Sequence, residues 1–264
     1  LYHIDTYMVK YLYCYLKSVW KEFFNECYVG STVKNTSNEN IGSFEIVIPD
    51  STYKMQEIVD NISSIYDRNI LNKNRIINLE KQVRDKITDL IKNEECEDIE
   101  LNELCEINYG TRITKNKNKI DDPSLGYPVY GGGDITFYTN KFNRSGKTLI
   151  ISRFALSKCC VRIISGDIFV NDSGLSLESE YQNYINYYML NSQEKIMSLT
   201  AGSVQKNLDM SSFRKMKISI PKNKELLNEI DPIIQEIDTT RNILNQECLL
   251  FNQEIKNLRL QSIQ

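Results

Sequence analysis

The sequence predicts an α+β fold: a mixed, mostly β module flanked by two long helices that pair as an antiparallel coiled coil. Three observations point there. First, Gly30-Ser31-Thr32-Val33-Lys34-Asn35 followed by Phe44-Glu45-Ile46-Val47-Ile48-Pro49 returns as Gly202-Ser203-Val204-Gln205-Lys206-Asn207 followed by Met216-Lys217-Ile218-Ser219-Ile220-Pro221, an offset of 172 residues. An offset this large exceeds the roughly 20–50 residues of a solenoid repeat, so it marks two globular modules. Second, each closing proline is followed by apolar residues three and four apart, the pattern of a helix with one sticky face. Third, short β-type runs punctuated by glycine fill the segment between the two helical patterns.

The elements follow in order. Tyr7, Tyr11, Tyr15, Val19 and Phe23 fall at helical spacing and predict a helix over 7–25, with a counterpart over 181–199. Gly30 and Gly202 interrupt these helices. The alternation of Phe44, Ile46 and Ile48, and of Met216, Ile218 and Ile220, predicts a closing strand in each copy that a proline ends. The first seam then runs Met55, Ile58, Ile62, Ile65, Asn69, Asn72, Ile76, Leu79, Val83, Ile87 and Leu90. Its twin runs Leu226, Ile230, Ile233, Ile237, Thr240, Leu244, Cys248, Phe251, Ile255 and Leu258, with a stutter between Leu244 and Cys248. At 1.5 Å per residue each helix is about 60 Å long, and two such helices in one chain bury their apolar stripes against one another. Antiparallel pairing is expected because a whole module separates them. Pro232 inside the second pattern predicts a kink, matching the slip of the repeat from 172 to 173 between Ile62 and Arg68. The seam asparagines either fix register or face solvent. Between the helices, strands are expected over 127–130, 135–138, 148–152, 161–164, 168–171 and 175–177.

Composition excludes several classes. The chain has 264 residues, is 41% hydrophobic and 25% charged, and holds no apolar run near the ~20 residues needed to span a bilayer. Its first residues carry neither an initiator Met nor a signal-peptide pattern and fall partway into a module, so a piece of a longer polypeptide is expected. Seven cysteines with no CxxC pair and one histidine, His3, indicate neither a metal site nor a disulfide framework, and point to a reducing, cytoplasmic setting. Net charge is −3, yet residues 111–162 carry ten basic side chains against three acids, +7 against −10 for the remainder. Such segregation is the electrostatic footprint of phosphate binding, or else a solvated face.

No catalytic constellation stands out. Gly131-Gly132-Gly133-Asp134 lacks the spacing of a dinucleotide loop and precedes strand-like residues, so it reads as a turn. None of the five prolines are adjacent, so the Asn/Asp-Pro-Pro-aromatic motif of amine methylation is missing. Asp50 and Lys54 lack the second carboxylate of a nuclease site, and Asp50 reads as an acid at a helix N-terminus. The residues describe a reader and not a catalyst.

Tyr127-Pro128-Val129-Tyr130-Gly131-Gly132-Gly133-Asp134-Ile135, then Gly146-Lys147-Thr148-Leu149-Ile150-Ile151-Ser152-Arg153, then Gly202-Ser203-Val204-Gln205-Lys206-Asn207-Leu208, then Ile218-Ser219-Ile220-Pro221 before a long helix, together resemble the DNA specificity subunit of type I restriction-modification systems. The resemblance implies residues 1–50 as the closing part of a first target recognition domain, 51–96 as the first conserved helix, 97–221 as the second recognition domain and 222–264 as the second helix. It departs from the family at Val33, where Gln205 stands in the second copy, and at Asn228, where Gln56 stands in the first. It implies no cofactor in this chain, S-adenosylmethionine being held by a methyltransferase partner. The partners implied are double-stranded DNA, methyltransferase subunits and a restriction subunit, with the coiled coil as a ruler between half-sites. Within the second domain, Lys115, Lys117, Lys119, Lys141, Lys147 and Lys206 are the expected phosphate contacts. Arg112, Arg144, Arg153, Asn140, Gln205 and Tyr138 are the expected base-edge contacts, because Arg matches guanine and Asn or Gln matches adenine. Two other readings fit the same residues: a scaffold or anti-restriction decoy that binds methyltransferase but not DNA, and the specificity region of a fused methyltransferase or restriction enzyme.

Overall fold

The computed structural model describes residues 6–29, 35–120, 122–154, 159–201 and 207–261. The chain divides into two units, one of residues 1–79 with 236–264 and one of residues 80–235. These cut across the boundaries expected from the repeat, because each unit takes part of both long helices.

In the first unit the expected helix over 7–25 forms as two, α1 (Thr6–Ser18) and α2 (Trp20–Cys27), broken at Val19. A short α3 (Asn38–Gly42) follows, capped by the Ser37 side chain accepting from the Asn40 amide. The long helix α4 (Thr52–Asn93) has 42 residues, about 63 Å at 1.5 Å each. The Ser51 hydroxyl, not the expected Asp50, takes up an orphan amide at its start, accepting from the Lys54 N–H at 3.1 Å. The last helix, α10 (Asp231–Gln261), returns alongside. Tyr11, Cys14, Tyr15 and Val19 of the first helices pack on Met55, Val59 and Ile62 of α4 and on Phe251 and Ile255 of α10. That cluster is the core of the unit.

The helix pair is antiparallel. Arg68 Nε donates to Glu247 Oε1 at 2.7 Å and Arg75 Nη2 to Glu236 Oε1 at 2.7 Å, so partner numbers fall as residue numbers rise. Asn69 is buried and accepts from Cys248 Sγ at 3.9 Å, while Asn72 Nδ2 donates to Glu247 Oε2 at 2.8 Å. Both asparagines therefore face the seam. They sit where the apolar pattern stutters, with Leu244 and Cys248 only half-buried.

Pro232 does not kink a running helix. It lies in the first turn of α10, where its missing N–H has no helical partner to lose. Residues 224–230 form a 3₁₀ turn instead, since a proline at 232 would clash with the carbonyl four residues back. The first copy has Asp60 at the equivalent place and stays α-helical throughout. The second helix is accordingly shorter than expected, 31 residues and about 46 Å, and Leu227 and Ile234 are buried where Leu226 and Ile233 were expected.

The second unit carries the sheets. After α4 come β1 (Cys96–Glu100), α5 (Leu101–Leu104), β2 (Glu106–Tyr109) and α6 (Lys115–Asn118). Then follow β3 (Tyr127–Tyr130), β4 (Phe137–Thr139), β5 (Lys147–Ser152), β6 (Val161–Ser165), β7 (Phe169–Val170) and β8 (Gly174–Glu178), all within a few residues of the expected strands. A four-stranded antiparallel sheet has the order β2-β8-β5-β6, and a three-stranded sheet the order β4-β3-β7 with β3 and β7 parallel. Ile150, Ile168 and Val170 join the two. The expected helix over 181–199 forms as α7 (Gln182–Asn191) and α8 (Gln193–Ser198), before β9 (Thr200–Ala201), β10 (Asn207–Leu208), α9 (Met210–Arg214) and β11 (Lys217–Pro221).

The repeat is structural as well as sequential. Val29 bridges Asn35 in the first copy as Ala201 pairs with Asn207 in the second. Residues 38–42 are helical as 210–214 are, capped by Ser37 and Asp209 respectively. A helix tyrosine hydroxyl donates to the matching carbonyl in each copy, Tyr11 to Val47 at 2.8 Å and Tyr184 to Ser219 at 2.6 Å. One expected element differs. β11 is a strand because β1 pairs with it from Cys96–Pro221 to Glu100–Lys217, whereas 45–49 has no partner strand among the described residues and stays irregular. Phe44 and Ile46 still pack on the helical core.

Candidate nucleic-acid interface

The expected phosphate-contact lysines among residues 111–147 are displayed by one loop, by the segment that follows β4 and at the start of β5. Gly110 starts the loop: a Cβ there would strike the Asn171 carbonyl, so only glycine lets the chain pass. The Thr111 amide then donates to the Val170 carbonyl at 3.0 Å, and α6 forms next. Ile120 N donates to the Tyr138 carbonyl at 2.8 Å, which ties the end of this loop to β4. Arg112, Lys115, Lys117 and Lys119 are exposed along it, with Asn140 and Lys141 exposed just past β4 and Tyr138 half-buried within it. The fold thus brings Lys115, Lys117, Lys119, Tyr138, Asn140 and Lys141 to one cationic shelf. Lys147 is half-buried at the start of β5, opposite Ser165.

Arg144 departs from the role expected of it. Its Nε donates to Ser176 Oγ at 2.6 Å, Nη1 to the Asn143 carbonyl at 2.7 Å, and Nη2 to the Asn108 and Tyr109 carbonyls at 3.2 Å each. A guanidinium so engaged ties a loop to the sheet and has little left for a base edge. Arg153 keeps more freedom, with Nη1 on the Asp172 carbonyl at 2.9 Å. Gln205 and Lys206 lie outside the described residues.

The glycine run is a turn, as expected. Gly132 and Gly131 offer their carbonyls inward, to Ser152 Oγ at 2.7 Å and Arg162 Nη2 at 3.3 Å, whereas a phosphate cradle presents N–H groups. Burial pushes the Cys14 and Cys105 thiols up to about 11, the opposite of what a nucleophile needs. Among the described residues no group of His, Cys, Asp and Glu could hold a metal ion, and no helix is long and apolar enough to cross a membrane.

Residues 93–248, more than half of the chain, match the family of type I restriction modification DNA specificity domains. The chain belongs to this family. Its role is DNA recognition in a restriction-modification system, and a specificity domain of this kind is not itself catalytic. The fold agrees with a solved type I restriction-modification S subunit from M. genitalium, at 16% identity and a TM-score of 0.59, over 97% of this chain and 74% of that one. The HsdS subunit from Thermoanaerobacter tengcongensis aligns at 11% identity and a TM-score of 0.40, over 96% of this chain and 69% of that one. Among curated protein sequences, none matches this chain.

Sequence reasoning missed part of this specificity domain's surface. Tyr109, Phe154 and Arg214 gather around Arg153, and Arg214 Nη2 donates to the Tyr109 hydroxyl at 3.3 Å. No motif or period joins positions 109, 153, 154 and 214, so only the sheet register and the placement of α9 bring them together.

Proposed function

We propose that residues 97–221 are a target recognition domain reading one half of a split DNA site, and that residues 1–50 are the closing part of a first such domain. Residues 51–96 and 222–264 are then the conserved helices that accompany them. Lys115, Lys117, Lys119 and Lys141 contact phosphates from the shelf, joined by Lys147, while Arg112, Tyr138, Asn140 and Arg153 reach base edges. Gln205 and Lys206 contribute a further polar and a further cationic contact. Arg144 holds the loop in place. The helices and the base of the domain dock methyltransferase subunits, which carry S-adenosylmethionine and flip the adenine, and a restriction subunit joins that complex in the cytoplasm.

The observation that carries this reading is the family match over residues 93–248, with the +7 segment lying inside it. The test is capture of a methyltransferase by this chain, followed by selection of bound random duplexes at two salt concentrations. Enrichment of one motif, with binding that weakens as salt rises, is the expected result. Partner capture with no salt-sensitive duplex binding would overturn it in favour of a scaffold or decoy.

A further inference from the structure

Two guanidinium groups converge on one tyrosine ring in the second unit. The Arg153 guanidinium carbon lies 4.7 Å from the centre of the Tyr109 ring and 5.0 Å from that of Phe154, and the Arg214 carbon lies 6.0 Å from Tyr109. Neither arginine has a carboxylate partner among the described residues. Both rings stay open to solvent, Tyr109 at 40% and Phe154 at 43% exposure. Two uncompensated cations on an exposed aromatic surface repel each other and gain nothing for the fold from that repulsion. A negatively charged ligand with flat, hydrogen-bonding faces would relieve it.

Every member of the group is held from behind. Tyr109 ends β2 in register with Leu175, and the next residue is the glycine that passes under Asn171. The Arg153 amide donates to the Ser173 carbonyl at 2.9 Å, and its own carbonyl accepts from Leu208 N at 2.8 Å. Arg214 closes α9, anchored by the fully buried Phe213. Arg153 has its guanidinium against two rings, Nη1 anchored on the Asp172 carbonyl and Nε buried without a partner among the described residues, so the plane of the group is held and Nη2 is the donor left over. A phosphate contact requires only charge, which a flexible lysine supplies. A planar fork whose orientation has been fixed in advance suits the O6 and N7 acceptors of guanine in the major groove.

We infer that Arg153 reads a guanine in the DNA bound by this unit, with Tyr109, Phe154 and Arg214 as the residues that position it; this rests on the DNA-recognition reading proposed above. The experiment selects a randomised duplex library with the full chain as wild type, Arg153→Ala, Arg153→Lys, Tyr109→Leu, Tyr109→Phe and Lys117→Ala, each checked for an unchanged unfolding temperature. The wild type should enrich a motif containing a guanine. Both Arg153 variants should lose roughly five- to a hundredfold of the preference at that one position and keep the others. Tyr109→Leu should relax the same position, and Tyr109→Phe, which keeps the ring, should relax it less. Lys117→Ala should weaken all duplexes alike. Arg153 variants that bind less tightly while retaining every base preference would overturn the inference and leave the DNA reading standing. A wild-type chain that enriches no motif would overturn the DNA reading, and this inference with it.

Discussion

Lys117 projects from a four-residue helical turn and is exposed, so it can meet a phosphate without breaking a contact of the fold. Lys117→Ala should therefore lower the slope of log affinity against log salt by about 0.9, the value for one phosphate contact, measured by fluorescence anisotropy over a salt series. Arginine at 144 is a different case although the charge is the same, because its donors are consumed inside the domain. The buried thiols make a prediction of another kind. Cys14 and Cys105 are held by burial at about 11, above the roughly 8.5 of an unfolded thiol. Between those two pH values the unfolded chain has released protons that the folded chain keeps, so the free energy of unfolding falls as pH rises. The stabilisation is fully present below about pH 8.5 and is lost as pH climbs toward 11, at up to about 1.4 kcal/mol per pH unit for each thiol. Urea midpoints at pH 8 and pH 10.5 measure this, and Cys105→Ala should remove its share of the slope.

In the helix pair, the polar contacts differ in worth by their exposure. Glu247 is 12% exposed and accepts from Arg68, itself 51% exposed and open to water, and from Asn72 on separate oxygens, so Glu247→Ala leaves the Asn72 donor unpaired beside the seam. A loss of roughly 1–3 kcal/mol is expected in urea denaturation. Arg75→Ala, at a pair 60% and 44% exposed, should cost less than about 1 kcal/mol. The proline separates two accounts of the second helix. Were Pro232 inside a running helix, its replacement by alanine would stabilise by about 3 kcal/mol. In the first turn of α10 it fits the helix and restricts only the unfolded chain, so Pro232→Ala should leave stability unchanged or lower it by about 0.4–1 kcal/mol, read from the same denaturation curves.

For the whole chain, a net charge of −3 conceals a +7 segment, four of whose lysines, Lys115, Lys117, Lys119 and Lys141, gather on one shelf. Engagement of Lys115, Lys117, Lys119 and Lys141 on a duplex predicts a log–log salt slope of roughly −3 to −4. Titration of a fixed duplex between low and moderate salt checks it, and a slope near zero would remove the shelf from the interface. The repeat carries a second lesson at this scale. Its two copies use the same local devices, a bridged loop, a capped short helix and a tyrosine lock, on different side chains. Equivalent backbone positions thus carry unlike side chains, Val33 against Gln205 and Ser37 against Asp209 among them.

Helix and strand positions were legible in the sequence because periods of 3.6 and 2 are local properties. Strands β3 to β8 of the second unit, the two seams and the repeat all appear in the order in which the residues are strung. Proline placement was legible in kind but not in consequence, since a kink and a first turn share the same letters and differ only in where the helix starts. The first closing strand does not form for a related reason: alternation at Phe44 and Ile46 reports which side is buried, whereas a strand needs a partner such as the β1 that pairs with β11. Tertiary structure alone decided which cations are free. Arg144 and Arg153 lie nine positions apart with the same charge, yet one is tied into the loop and the other lies on the rings of Tyr109 and Phe154. Charge is written in the residue type, but whether its donors are already used depends on the long-range register that brings Ser176, Asp172 and Arg214 beside them.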